Sequence, residues 1–284
     1  MDRLASHRQF FAELVTAAAG LGGKHPRLKA AFANTPREKF LGPGPWRIFA
    51  GSGLIETPTD DPAFLYQDVV VAISPERRIN NGQPILHAIS LAALNIQEGE
   101  SVLHIGAGTG YYTALLAQLT GPNGKVDAFE LEPDLAETAA RNLSHFPNVH
   151  VHARSGSAPP LPHADAIYVN AGASSPLDVW LDALRPNGRL LFPLTPGDGP
   201  GGTPGIGAML RITRASGDRY VALFICQAAF IPCAGGRDPE TEAKLSTAFR
   251  RGDFRNVHSL RRDSSPDNTC WCSGANWWLS TAEL

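Results

Sequence analysis

The chain has 284 residues, of which 43% are hydrophobic and 18% charged, with a formal net charge of −2 at pH 7. This length suffices for a large buried core, while the near-neutral charge excludes a field that would gather nucleic acid or an anionic membrane surface. No apolar run reaches the roughly 18 residues of a membrane span, and the four cysteines form no C-x-x-C pair, so we expect no membrane association and reduced thiols in the cytoplasm.

The N-terminal region, residues 1–78, is predicted to begin with two short helices. Apolar residues recur at helical spacing over 3–19, and a second helix is expected over 26–33. Residues 42–62 are rich in glycine and proline and are expected to be irregular. We therefore predict that residues 1–78 form a helical and irregular segment that packs on the rest of the molecule.

Residues 79–236 alternate between predicted strands and predicted helices. The strands are 102–105, 126–129, 149–152, 166–169 and 189–192, followed by a hairpin of 209–213 and 220–226, and the helices are 85–94, 111–119, 133–143 and 177–184. This alternation predicts an α/β fold with a mostly parallel sheet of about seven strands and helices on both faces. Residues 237–284 are expected to form a separate C-terminal extension.

A glycine-rich turn lies between the strand 102–105 and the helix that begins at Tyr111. Its residues 106–110 read Gly-Ala-Gly-Thr-Gly, and Glu130 ends the following strand, 20 positions after Gly110. Glycines let a ligand approach the main chain, and a carboxylate at about this distance accepts hydrogen bonds from ribose hydroxyls. The spacing predicts a bound nucleoside cofactor, whereas the alternative is a tight turn without a ligand.

The turn favours S-adenosylmethionine over a dinucleotide. The dinucleotide fingerprint needs a small residue three positions after its second glycine, and Tyr111 stands there. No Arg or Lys lies between Val102 and Gly124, so nothing in that segment would meet a phosphate. The predicted cofactor-binding residues in this segment are Gly106, Ala107, Gly108, Gly110, Tyr111, Glu130 and Leu131.

The order of motifs resembles the protein-L-isoaspartate (D-aspartate) O-methyltransferase family of class I S-adenosylmethionine-dependent methyltransferases. The resemblance runs from about Pro26 to Gly236. Its motifs are Thr35-Pro36-Arg37-Glu38-Lys39-Phe40, Tyr66-Gln67-Asp68, the glycine turn, Gly188-Arg189-Leu190-Leu191-Phe192-Pro193 and Phe230-Ile231-Pro232. The resemblance implies a Rossmann-like fold and methyl transfer to a carboxylate of a protein or peptide, with S-adenosylhomocysteine as the product.

Two departures from the family pattern concern the site. The family's T-I-S-x-P loop matches residues 80–84, where Gly82 replaces the active-site serine. Its G-D-G segment matches 154–156, where Ser155 replaces the aspartate that holds the adenine amino group. The resemblance implies that Ser155, Gly156 and His87 bind the cofactor, and His104 stands where the superfamily usually has a carboxylate.

Methyl transfer from a sulfonium is an in-line displacement, and a carboxylate nucleophile is already ionised at neutral pH, so no general base is required. We predict that Gln83 and Asn81, beside Gly82, position the substrate carboxylate through their amides; the alternative is a structural Asn-Gly turn. His87 is alternatively a core residue, or a base if the acceptor is a phenol or an amine.

These observations leave several functions open. The first is an S-adenosylmethionine-dependent methyltransferase acting on a carboxylate of a protein, peptide or small molecule, as a monomer or homodimer. The alternatives are a catalytically impaired cofactor-binding protein of the same fold and a nicotinamide oxidoreductase.

We expect no metal, because His150-x-His152 lacks a suitably spaced third ligand. The tail residues Trp271, Trp277 and Trp278 either cap a ligand or pin the extension to the core.

Overall fold

The computed structural model of the protein describes residues 3–51, 53–198 and 205–284. These residues form seven α-helices, fourteen β-strands and several short 3-10 turns. The helices are α1 (Arg3–Ala18), α2 (Pro26–Asn34), α3 (Pro84–Leu94), α4 (Tyr111–Thr120), α5 (Pro133–Asn142), α6 (Asp178–Ala183) and α7 (Pro239–Arg251). None of the helices within the described ranges is long and apolar enough to cross a membrane.

The strands fall into an N-terminal, a central and a C-terminal group. The N-terminal strands are β1 (Arg47–Ala50), β2 (Gly53–Glu56), β3 (Ala72–Ser74) and β4 (Ile79–Asn80). The central strands are β5 (Ser101–Ile105), β6 (Lys125–Glu130), β7 (Val149–Ala153), β8 (Ala164–Val169), β9 (Leu184–Leu194), β10 (Gly207–Arg214) and β11 (Tyr220–Ala228). The C-terminal strands are β12 (Ser259–Arg261), β13 (Cys270–Ser273) and β14 (Trp278–Ser280).

The chain divides into two compact units. The first comprises Met1–Glu100 and Ala107–Arg154, and the second comprises Ser101–Gly106 and Ser155–Leu284. The first unit contains α1 to α5, the antiparallel pairs β1–β2 and β3–β4, and the parallel pair β6–β7. Its helix α4 is buried along almost its whole length, since its residues are nearly all apolar.

The second unit is built on a sheet with the strand order β13-β14-β12-β11-β10-β9-β8-β5. Strands β5, β8 and β9 are parallel to one another. Each pair of neighbours in the rest of this order, from β9 through β10, β11, β12 and β14 to β13, is antiparallel. Strand β5 is buried from its second residue onward, as expected for parallel strands covered on both faces. The α/β fold class is confirmed, and all seven predicted core strands are present.

The structure differs from the sequence-based expectation in two places. Strand β9 begins at Leu184, before the predicted strand 189–192, so residues 186–188 lie inside it. There Asn187 adopts a φ of 62°, and the register with β8 shifts. The stretch 42–62 was expected to be irregular, but it contains the exposed hairpin β1–β2. The C-terminal extension contributes β12, β13 and β14 to the sheet of the second unit, because β12 pairs with β11.

Candidate active site

The glycine turn connects β5 to α4 through backbone conformations that favour glycine. Gly106, Gly108 and Gly110 have φ values of 76°, 57° and 97°, in or near the left-handed region. A Cβ built on Gly108 would meet no heavy atom within 4 Å, so the main chain there has an open face. A Cβ on Gly110 would lie 2.8 Å from Leu143 Cδ1, so this glycine is also required for packing against the segment after α5.

Glu130 lies at the end of β6 and is only 7% exposed. Its Oε2 accepts a hydrogen bond from the Gly108 amide at 2.6 Å, and its Oε1 accepts one from the Glu132 amide at 3.0 Å. Burial raises the pKa of the Glu130 carboxyl, although these backbone hydrogen bonds oppose the rise. An ionised carboxylate has about four acceptor positions, so Glu130 can hold the turn and still accept hydrogen bonds from ribose hydroxyls.

Two buried hydroxyls of the turn have no hydrogen-bond partner among the described residues, Thr109 Oγ1 and Tyr111 Oη. Tyr111 begins α4 and packs edge-on against Phe40, with ring centroids 5.6 Å apart. Buried polar atoms are normally hydrogen-bonded, so each of these hydroxyls could take a further partner. The Glu130 carboxylate and the open main-chain face of Gly108 fit a nucleoside cofactor. Leu131, directly after Glu130, is 47% exposed.

The loop 80–83 carries the predicted substrate-positioning residues and is held from several sides. Asn81 is buried, and its Oδ1 accepts a hydrogen bond from Arg37 Nε at 3.3 Å. Gln83 Nε2 donates to Asp68 Oδ2 at 2.7 Å, and the Gly82 amide donates to Asn80 Oδ1 at 2.8 Å. The last of these hydrogen bonds closes a local turn of the kind that asparagine favours. The side-chain amides of the loop therefore stabilise the conformation of the loop itself.

Two residues that the sequence analysis quoted only within motifs, without giving them a role, hold this loop in place. Arg37 is fully buried and donates to the carbonyl oxygens of Leu65, Gln67 and Val69 at 2.8, 3.2 and 2.7 Å. Asp68 Oδ1 accepts from the Ile85 amide at 2.8 Å, in the first turn of α3. Their place in the family's motifs was the only signal in the sequence, because their partners lie in distant segments.

His87 packs directly against Gly82. Its imidazole is 2% exposed and stacks on Tyr112, with ring centroids 3.5 Å apart and an interplanar angle of 10°. A Cβ on Gly82 would lie 2.2 Å from His87 Nε2, and the Gly82 φ is 71°. A serine at this position, as in the family pattern, would therefore require His87 to move.

Three further predicted residues, Ser155, Gly156 and His104, lie in the second unit. Ser155 Oγ accepts from the Ser157 amide at 3.1 Å and lies 2.7 Å from Ser157 Oγ, which in turn donates to the Ala234 carbonyl. The Gly156 carbonyl accepts from Trp180 Nε1 at 2.8 Å. Burial lowers the pKa of His104 to about 3, so this histidine is neutral at physiological pH.

The remaining sequence candidates have structural partners. His152 Nε2 lies 2.9 Å from Asp127 Oδ1, and this contact joins the paired strands β7 and β6. Trp271 is 2% exposed, and its Nε1 donates to Asp253 Oδ1 at 2.8 Å. Trp278 Nε1 donates to Asp263 Oδ1 at 2.9 Å. Both acceptors lie within the C-terminal extension, but Trp271 also packs edge-on against Phe224 of β11, with ring centroids 5.3 Å apart. This contact supports the second of the two interpretations of the tail.

Comparison with known proteins identifies the family. The family model "Protein-L-isoaspartate(D-aspartate) O-methyltransferase (PCMT)" matches residues 57–234. The chain belongs to this family. A protein-L-isoaspartate O-methyltransferase of Rhodopseudomonas palustris is 30% identical over 241 residues, which cover 82% of this chain and 97% of that protein. The predicted family is confirmed, and with it the predicted enzyme class and cofactor, an S-adenosylmethionine-dependent O-methyltransferase.

Solved structures show the same fold. A protein-L-isoaspartate O-methyltransferase structure has a TM-score of 0.62 at 18% identity, covering 95% of this chain and 87% of that one. A second structure, of a putative member from Plasmodium falciparum in complex with S-adenosyl-L-homocysteine, has a TM-score of 0.58 at 19% identity, covering 80% and 98%. The family match ends at residue 234, so the C-terminal extension lies outside it.

Proposed function

We propose that the protein transfers the methyl group of S-adenosylmethionine to a carboxylate of a protein or peptide, or of a related small molecule. One observation carries this proposal. The Glu130 carboxylate is buried, hydrogen-bonded to the glycine turn and next to the open main-chain face of Gly108, within the segment that matches the family. This arrangement can bind the sugar of a nucleoside without meeting a phosphate.

The cofactor would be held mainly by main chain and by hydrogen-bond acceptors. Gly106, Ala107 and Gly108 would lie against its adenosine, and Glu130 would accept hydrogen bonds from the ribose hydroxyls, with Leu131 beside it. Ser155, which matches the family's aspartate that holds the adenine amino group, would lie beside that group. The bound cofactor would supply an electrophilic methyl group on a sulfonium.

The protein's own part in the reaction is then positioning. The loop 80–83 is fixed through Arg37 and Asp68, and it would hold the acceptor carboxylate in line with the methyl group. A carboxylate needs no proton removed before it attacks, so the site does not depend on a general base. Gly82 has no hydroxyl to offer, so we propose an acceptor range different from that of a strict isoaspartyl repair enzyme.

Methyl transfer from labelled S-adenosylmethionine tests the proposal. The acceptors should include an isoaspartyl peptide, the same peptide with a normal aspartyl linkage, and small carboxylic acids. We expect a labelled, base-labile methyl ester on at least one carboxylate. Binding of S-adenosylhomocysteine without turnover on any acceptor would instead support the catalytically impaired alternative.

The organisation into residues 1–78, 79–236 and 237–284 stays a prediction, as do the cytoplasmic location and the monomeric or homodimeric state. Fragments ending near residues 78 and 236 would test the first of these by their ability to fold. Sedimentation of the purified protein would test the last.

A further inference from the structure

Asn170 lies at the start of the glycine turn, although no sequence signal marked it. It follows β8 directly, and its backbone N–H donates a hydrogen bond to the Ile105 carbonyl oxygen at 2.8 Å, where β5 ends. A Cβ built on Gly106 would lie 3.4 Å from the Asn170 carbonyl oxygen and 3.6 Å from its Cβ. Asn170 therefore packs beside the first glycine of the turn, at the carboxyl ends of parallel strands, where α/β proteins bind ligands.

The side chain of Asn170 faces His104 through its amide nitrogen. Its Nδ2 lies 2.7 Å from His104 Nε2, and the imidazole is fully buried and neutral. An amide nitrogen can only donate, so Nε2 must be the unprotonated, accepting nitrogen of that ring. This contact directs Nδ2 toward His104 and leaves Oδ1 on the opposite side of the amide.

Asn170 Oδ1 is buried and has no hydrogen-bond partner in the part of the chain that the structure describes. Buried acceptors are rarely left unsatisfied in folded proteins, and each such case requires an explanation. Asp165, the carboxylate on β8, cannot serve as the acceptor for a ligand at Asn170, because it lies near the other end of that strand. There it accepts hydrogen bonds from the Ser101 amide and from Arg185, both at 2.8 Å.

The proposed cofactor has three kinds of donor: the ribose hydroxyls, the adenine amino group and the α-ammonium group. The proposed function assigns the first to Glu130 and, by the match to the family's aspartate, the second to Ser155. We propose that Asn170 Oδ1 accepts a hydrogen bond from the α-ammonium group of S-adenosylmethionine, with His104 as a positioning residue that fixes the amide. This inference rests on the proposed function and specifies how one end of the cofactor is recognised.

Binding of two product-like ligands to the full-length protein separates this role from a structural one. S-adenosylhomocysteine carries the ammonium group, whereas 5′-methylthioadenosine keeps the adenosine and the thioether but lacks the amino-acid part. By calorimetry, Asn170→Ala should weaken S-adenosylhomocysteine binding about tenfold, the scale of one hydrogen bond to a charged group. The affinity for methylthioadenosine should stay within about twofold of wild type.

Asn170→Asp is the second variant, and it keeps an acceptor at the same place, with the proton of the neutral His104 ring on Nε2 to face the other carboxylate oxygen. The comparison ligand is a deaminated S-adenosylhomocysteine, in which hydrogen replaces the amino group. Because an ionised carboxylate attracts an ammonium more strongly than an amide does, the preference of Asn170→Asp for S-adenosylhomocysteine over this analogue should exceed that of wild type. This variant also keeps the test decisive if Asn170→Ala does not fold.

Three results would overturn the inference. Equal weakening of both ligands in Asn170→Ala would show that Asn170 only shapes the glycine turn. Unchanged binding of both, or an unchanged preference in Asn170→Asp, would show that Oδ1 does not contact the ammonium. Failure of the wild-type protein to bind S-adenosylhomocysteine at all would instead overturn the proposed function on which the inference rests.

Discussion

At the residue scale, the contact between Gly82 and His87 restricts what the acceptor loop can carry. The imidazole edge lies where a side chain at position 82 would begin, and the ring itself is held by its stack on Tyr112. The left-handed φ of Gly82 adds a backbone cost for any other residue. The absence of the family's serine is therefore coupled to the position of a neighbouring histidine and is not an isolated change.

Replacing Gly82 by serine should destabilise the protein through both effects. Gly217→Ser is the matched control, because Gly217 has a φ of 65° and open space around its Cβ position. We expect about 1 kcal/mol of backbone strain in each variant and an additional loss only in Gly82→Ser. Urea unfolding measures both. Adding His87→Ala to Gly82→Ser should recover part of the loss, and equal losses in the two serine variants would contradict the steric explanation.

The position of Glu130 beside the glycine turn was predictable from sequence because its signal was local. Glu130 follows from its spacing after Gly110, and both are in place around the turn. The Asn170–His104 contact joins residues 66 positions apart, and the Arg37 contacts span 28 to 44 positions. No spacing rule relates such pairs, because only the folded sheet and loops bring them together.

At the element scale, the parallel strands β6 and β7 are joined by a buried charged group. Asp127 is 4% exposed, and its carboxylate contacts His152 Nε2 and Lys125 Nζ, each at 2.9 Å. Burial opposes ionisation of Asp127, yet the hydrogen bonds from His152 and Lys125 hold its pKa below the ordinary value of an aspartate. Ionised Asp127 therefore contributes to the stability of this strand pair.

Asp127→Asn should lower the free energy of unfolding at neutral pH by about 1–3 kcal/mol, the scale of a hydrogen bond to a charged group. Because the folded-state pKa is depressed, this contribution is present above the unfolded pKa of about 3.9 and is lost as the pH falls through the lower folded value. Urea unfolding of both proteins between neutral and acidic pH checks the sign. A difference that grows toward low pH would contradict the assignment.

The central elements were predicted well because each carries its own local pattern. A largely apolar segment marked β5, a continuous apolar run marked β8, and Pro133 marked the first turn of α5. The strands of the C-terminal extension are three or four residues long and have no recognisable period. Their strand character comes from pairing with β11 and with one another, which a single sequence does not reveal.

At the scale of the whole molecule, the C-terminal extension is part of the second unit's packing and not a loose appendage. Trp271 contacts Phe224 of β11 and Phe249 of α7, with ring centroids 5.3 and 5.2 Å apart. Arg262 pairs with Asp178 and Asp182 of α6 at 2.7 and 2.6 Å. Aromatic burial contributes most here, because ion pairs to exposed acids add little.

Trp271→Ala should therefore destabilise the protein by about 3–5 kcal/mol, as expected for removal of a large buried aromatic side chain. Trp271→Phe, which keeps a ring in the cluster, should lose less. Thermal or urea unfolding gives both values. A Trp271→Ala protein with wild-type stability but weakened ligand binding would contradict the pinning role and would place this indole at a ligand.

The most direct test of the account measures how ligands change the stability of the purified protein. S-adenosylhomocysteine at about 100 times its dissociation constant should raise the free energy of unfolding by about 2.7 kcal/mol, and NADH should have no effect. Glu130→Ala should weaken S-adenosylhomocysteine binding by about 1–3 kcal/mol, because the ribose loses a charged acceptor. Stabilisation by NADH but not by S-adenosylhomocysteine would contradict the assignment of the glycine turn and Glu130 to S-adenosylmethionine.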